Sequence, residues 1–135
     1  MPKRKTTTPK PTVPSRPAKS KAREDRIQME IIVDAYGPEE QAMGWYYYLE
    51  EKLAFPFRAK CIAERRISPL REGDKVEVTG MAPEGDCQHE IFVLLQWEGR
   101  MLGVPLSQLR GIGVEPETKQ AIDDWQYWVQ QGYEF

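Results

Sequence analysis

The side chains in this chain best suited to chemistry are carboxylates, and they come in runs. DAYGPEE (34–40) leads into WYYYLEE (45–51), PEGDCQHE (83–90) lies mid-chain, and DDWQYW (123–128) stands near the end. Carboxylate oxygen is the donor that hard divalent cations such as Ca2+ take. Other chemistry has few parts. The chain holds one histidine and two cysteines, and no serine–histidine pair of catalytic type is visible. Cation binding leads, and the chain is not read as an enzyme.

Each acid carries two readings. Asp34 ends a segment, 24–36, in which Ile27, Met29, Ile31 and Val33 alternate as in a strand. Ile27 and Ile31, with Met29, Ile32 and Val33, also fit helical spacing. Charged helix formers before it and Gly37-Pro38 after it favour helix. In a last turn Asp34 would face the negative end of the helix dipole, a cost of a few tenths to about 1 kcal/mol. A cation held by Asp34 and free terminal carbonyls reverses that sign. The alternative is a turn aspartate bonded to nearby backbone.

Glu39 and Glu40 follow Pro38, where acids complement a helix N-terminus or cap it. The Gly37-Pro38 bend also brings them near Asp34, which favours ligation. Glu50 and Glu51 lie about 16 Å further along the helix at ~1.5 Å per residue, and read as a solvated face. Asp123 and Asp124 are unusual inside a tryptophan-rich helix, because aspartate competes for backbone hydrogen bonds. They either bond to arginine or backbone, or coordinate a cation. Glu84 and Asp86 could supply a second, weaker cation site. Cys87 and His89 suggest zinc at first sight, but a closed zinc site needs four ligands, and Cys61 reads as an ordinary buried thiol. No EF-hand, P-loop or dinucleotide-binding pattern is present.

The elements that must position these acids are legible by period. Ala42, Trp45, Tyr46, Leu49 and Leu53 form one helical stripe after Pro38, and FPF (55–57) ends it. Gly44 in that helix is read as a place of close packing. Phe57, Ala59, Cys61 and Ala63 then alternate with Arg58, Lys60, Ile62 and Glu64. REGD (71–74) is a turn, and Val76 and Val78 continue the period of two. EIFVLLQW (90–97) is apolar on both faces and is expected to be central. EGR (98–100) turns the chain into MLGVPL (101–106). Thr118, Ala121, Ile122, Trp125, Trp128 and Val129 mark a closing helix. Trp45, Tyr46, Trp125 and Trp128 are expected in the core. The fold class is α+β: a small antiparallel SH3-like barrel or curled sheet of four strands, flanked by N-terminal helices and a C-terminal helix.

The formal charge of -2 hides an asymmetry. Residues 1–26 carry nine Lys or Arg against two acids, leaving 19 − 9 = 10 bases and 21 − 2 = 19 acids beyond. Residues 1–23 are expected to be a disordered basic tail, since they offer little to bury. Residues 24–135 are expected to form one acidic domain. Such a domain argues against a nucleic-acid surface on itself and suits cations. The tail could tether an anionic partner. No apolar run reaches the ~20 residues needed to span a bilayer, and the leader lacks the apolar core of a secretory signal, so the cytoplasm is the expected compartment.

DAYGPEEQAMGWYYYLEEKLAFPFRAKC, SPLREGDKVEV, WEGRMLGVPLSQL and AIDDWQYWVQQGYEF together resemble the CcbP-type calcium-binding family. The resemblance runs from about residue 25 to 135 and misses the basic tail. It implies a small cytoplasmic protein that binds Ca2+ without EF-hands and buffers, sequesters or senses it. The acids inside the matching segments are Asp34, Glu39, Glu40, Asp123 and Asp124. An SH3-like interaction module with an acidic face is the alternative function.

Overall fold

The computed structural model describes residues 18–135. The disorder expected of the tail falls largely on residues 1–17, outside the described residues. Helix α1 spans Lys21–Arg26, so the last residues assigned to the tail by composition are helical. Ser20 caps it, its hydroxyl accepting from the Arg23 amide at 3.2 Å. The helix runs on into a π-helical turn, Ile27–Ile31, closed by the Ile32 amide donating to the Ile27 carbonyl at 2.9 Å. The wider turn still buries Ile27, Ile31 and Ile32 on one side and leaves Met29 and Val33 exposed.

Helix α2 spans Pro38–Lys52 and opens on proline, whose fixed φ suits the first turn. Its expected stripe is the buried one: Ala42, Trp45, Tyr46 and Leu49, followed by Leu53. Gly44 is needed for a backbone contact rather than for the aromatics. A Cβ there would stand 2.4 Å from the Ile31 carbonyl oxygen, so only glycine lets α2 lie directly on the π turn.

Five strands follow: β1 (Phe57–Cys61), β2 (Lys75–Met81), β3 (Phe92–Trp97), β4 (Arg100–Pro105) and β5 (Leu109–Ile112). All neighbours are antiparallel, in the order β4-β3-β2-β1-β5. Three points of the expectation are decided here. The sheet has five strands rather than four, and its edges β4 and β5 do not pair, so of the barrel and the curled sheet the closed barrel is excluded. Strand β3 is interior but not central; β2 holds the middle. The β3–β4 hairpin turns at Glu98 and Gly99, with φ of 50° and 81°, the positive pair that tight hairpins require. In β1, Phe57, Ala59 and Cys61 point inward and Arg58 and Lys60 outward, as their alternation predicts.

Helix α3 (Pro116–Gln130) closes the chain against α2. Trp45 of α2 meets Trp125 edge-on at 5.0 Å between centroids and Trp128 at 5.6 Å, a geometry aromatic quadrupoles favour. These rings are core, as expected. Thr118 ties the end of α2 to the start of α3, accepting from the Ala54 amide at 3.0 Å.

Gly44→Ala should therefore destabilise the protein by about 1–3 kcal/mol, the usual range for overpacking. Denaturant unfolding measures it; an unchanged midpoint would contradict the contact with Ile31.

Candidate metal centre

The structure sorts the seven candidate acids into different environments. Asp124, on α3, is fully buried. Its Oδ1 accepts from Arg23 Nη1 and Arg26 Nη2, each at 2.8 Å, and its Oδ2 accepts from Arg26 Nε at 2.9 Å. Tyr48 of α2 adds a longer contact at 3.4 Å. Its oxygens are thus occupied by two guanidinium groups, and a second cation there would meet both positive charges. Of the two readings of this residue, bonding to arginine is the arrangement the structure contains. The carboxylate in turn holds the Arg26 pKa above its ordinary value, mainly through the hydrogen bond.

Asp123 points elsewhere. It pairs with Lys119 one turn earlier at 2.7 Å and lines a shallow hollow with Ser20, Arg23 and Tyr127. It does not meet the acids of α2. Asp34 lies beyond the π turn rather than in the last turn of a helix. It is exposed, with φ of 59°, a left-handed conformation that aspartate tolerates in turns. The Ala35 amide donates to the Ile32 carbonyl across this turn at 3.0 Å.

Glu39 and Glu40 occupy the first turn of α2. They share a cleft of about 420 Å³ with Glu84, on the short 3-10 turn Glu84–Cys87 between β2 and β3. Met43, Tyr46 and Cys87 form part of its lining. Two hydrogen bonds hold the walls together. Tyr46 donates to the Ala82 carbonyl at 2.7 Å, and Tyr47 donates to Glu84 Oε2 at 3.0 Å. Glu40 Oε1 accepts from the Tyr36 amide at 2.9 Å, which reins in the bend before α2. The sequence places Glu84 some 45 positions from Glu39 and suggests a separate, weaker site; the fold makes it the opposite wall of the same cleft. Asp86 sits exposed on the same turn but is not part of the lining.

The donor chemistry fits a hard cation. Glu39, Glu40 and Glu84 are exposed, and Glu40 and Glu84 each have one oxygen engaged, by the Tyr36 amide and the Tyr47 hydroxyl, and one to offer. Among the described residues no three Asp, Glu, His or Cys side chains already stand together as an ion cage. Uptake therefore requires the carboxylates to turn inward and water to complete the six to eight oxygens that Ca2+ takes. Zinc finds no support in the geometry. Cys87 is buried and its Sγ accepts from the Phe92 amide at 3.3 Å, while burial pushes its thiol pKa up. His89 lines a different hollow, beside Trp128 and Tyr133.

Comparison with known proteins agrees with this chemistry. A calcium-binding family profile, that of CcbP, matches residues 25–129. The crystal structure of Anabaena CcbP is 43% identical, with 87% of this chain and 96% of that chain covered at a TM-score of 0.77. A calcium-binding protein solved in its calcium-binding form is 42% identical, with 86% of this chain and 95% of that chain covered at a TM-score of 0.76. No curated protein sequence matches.

Two outcomes follow from the buried carboxylate. Asp124→Asn should cost about 3–5 kcal/mol in denaturant unfolding, because it strands partly buried guanidinium charge, while calcium stoichiometry of the folded fraction stays unchanged. Lost stoichiometry at full stability would reverse the assignment. Tyr48 is pushed up to about 12, first by burial and then by the negative charge of Asp124. A raised folded pKa adds stability in full below the unfolded value near 10. That contribution drains away as pH rises from there towards the folded value. Tyr46, Tyr47 and Tyr127 are also raised, so ultraviolet titration should show several phenols ionising late, and Tyr48→Phe should remove the part at the upper end of this window.

Proposed function

The chain belongs to the CcbP-type calcium-binding family, and we propose that it takes up Ca2+ in the cleft between the start of α2 and the 3-10 turn before β3. Calcium is the ligand and binding is the activity; the family is not one of enzymes. The observation that carries the location is the convergence of Glu39 and Glu40 on one wall with Glu84 on the other. Like charges lining one cleft repel one another, and a dication drawn between them turns repulsion into attraction. Of the candidate acids, these three line one cavity. Asp34 and Asp86 stand outside the lining and serve at most to raise the local negative potential. Asp123 has no part in this site.

Buffering is the mode we infer. The walls are already joined by Tyr46 to the Ala82 backbone carbonyl, so uptake needs rotation of the carboxylates, with Tyr47 releasing or sharing Glu84, rather than movement of an element. A sensor needs a bistable element whose two states differ in affinity for the ion. Discrimination against Mg2+ follows from the wide, adjustable donor set, since Mg2+ demands a tight octahedron and gives up water reluctantly.

The SH3-like description belongs here as a reading of topology. Strand order β4-β3-β2-β1-β5, with a 3-10 turn at Leu106–Gln108 leading into β5, supports it. Topology of this kind hosts many functions and selects none.

Calorimetry tests the site. Glu84→Gln and the pair Glu39→Gln with Glu40→Gln should each weaken Ca2+ binding by about tenfold or more, a loss of at least about 1.4 kcal/mol. Asp123→Asn should leave it unchanged. Full affinity in Glu84→Gln, or loss of uptake in Asp123→Asn, would move the site elsewhere.

A further inference from the structure

The acidic average of the domain conceals a cationic face. Beyond residue 26 there are ten Lys or Arg and 19 acids. Residues 58–77 together with Arg110 hold seven of those bases and four of those acids, a balance of 7 − 4 = +3. The remainder holds three bases and 15 acids, a balance of 3 − 15 = −12. Charge is segregated, although Glu90 pairs with Arg65 across the division, and the sheet register explains the part that lies on the strands.

Lys75 on β2 stands directly opposite Lys60 on β1, and Lys60 stands directly opposite Arg110 on β5. The outward alternation of all three strands puts these side chains on the solvent face, where Lys75 and Arg110 are exposed and Lys60 half-buried. Neighbouring strands are about 4.8 Å apart, so three like charges form one cross-strand row. Like charges directly opposite one another destabilise a sheet. None of the three belongs to a salt bridge among the described residues. The nearest acid in sequence, Asp74, accepts from the Arg71 amide in its own turn at 2.8 Å. In the next row Arg58 faces Glu77, which balances it. The row therefore has a cost to the free protein and no internal compensation.

A second observation extends it. The first described residues, Ala18 and Ser20, lie along α3 beside Gln126 and Tyr127. Gln126 donates in turn to the Leu109 carbonyl, next to Arg110 on β5. The sequence before residue 18 carries Lys3, Arg4, Lys5, Lys10 and Arg16 and no acid.

We propose that this outer face of β2, β1 and β5 is a docking surface for the phosphate backbone of a duplex nucleic acid. The occupant follows from the chemistry of the face. The row of Lys75, Lys60 and Arg110 carries no aromatic ring, and the one half-buried ring at the Arg58 end of the face, Phe55, is not the series of platforms that single strands stack on. On its strands the apolar member is Ile112, at 36% exposure, too little to wedge into a lipid interface. Backbone phosphates need only cations, and the affinity comes from released counterions. The face is separate from the calcium cleft and involves none of its residues.

Fluorescence anisotropy of the full chain with a short labelled duplex of arbitrary sequence tests this. Wild type should bind with an affinity falling linearly in log salt. Lys60→Gln, Lys75→Gln and Arg110→Gln together should weaken binding about tenfold or more at low salt and reduce the salt slope by about 2.7, three contacts at about 0.9 each. The same triple variant should melt at or above the wild-type temperature, since it removes repulsion, and should keep its calcium response. Arg100→Gln, on β4, should change neither slope nor affinity. The proposal is overturned if wild type does not bind at low salt, or if the triple variant keeps the wild-type slope. Row-dependent binding to phosphatidylserine vesicles without binding to the duplex would overturn it as well.

Discussion

A single desolvated carboxylate joins the three α-helices of the described residues. Asp124 on α3 holds Arg23 and Arg26 of α1 and reaches Tyr48 of α2. Burying a charge is costly unless its partners replace the water it loses. Here the replacement is nearly complete on the aspartate side, while both arginines keep part of their surface in solvent. The pair fixes where α1 docks. That sets the π turn on which Gly44 lies, and so the position of α2, whose first turn carries Glu39 and Glu40.

The same logic divides the acids by function. A carboxylate that already holds two guanidinium groups has nothing to offer a free ion. Carboxylates left exposed on two walls of a cleft repel one another and gain from a shared cation. Asp123 falls between these cases, tied to Lys119 on the helix surface. Proximity to tryptophan, which makes DDWQYW conspicuous in the sequence, marks the core junction.

Much of the fold was legible because burial leaves a period. The stripe from Ala42 to Leu53 and that from Thr118 to Val129 gave α2 and α3, and alternation from Phe57 to Cys61 gave β1. Gly37-Pro38 marked the start of α2. Strand β5 escaped notice because it is four residues long, holds Gly111 and follows a 3-10 turn. The open edge of the sheet could not be read, since closure depends on pairing between β4 and β5. The candidate site was legible in its residue types but not in its grouping. Glu84 faces Glu39 and Glu40 only because Tyr46 and Tyr47 pull the two segments together. Arg23 was assigned by composition to the tail, although its partner lies 101 positions away. The row Lys75, Lys60, Arg110 is likewise invisible without the register, since no local pattern states which strands are neighbours.

Anomalous diffraction from crystals grown with Ca2+ addresses the central claim most directly, because it reports where the ion sits. Density between the first turn of α2 and the turn at Glu84, with carboxylate oxygens from both walls at about 2.3–2.6 Å, is the predicted result. An ion found against Asp123, or at any place that leaves Glu39, Glu40 and Glu84 all uninvolved, would contradict it.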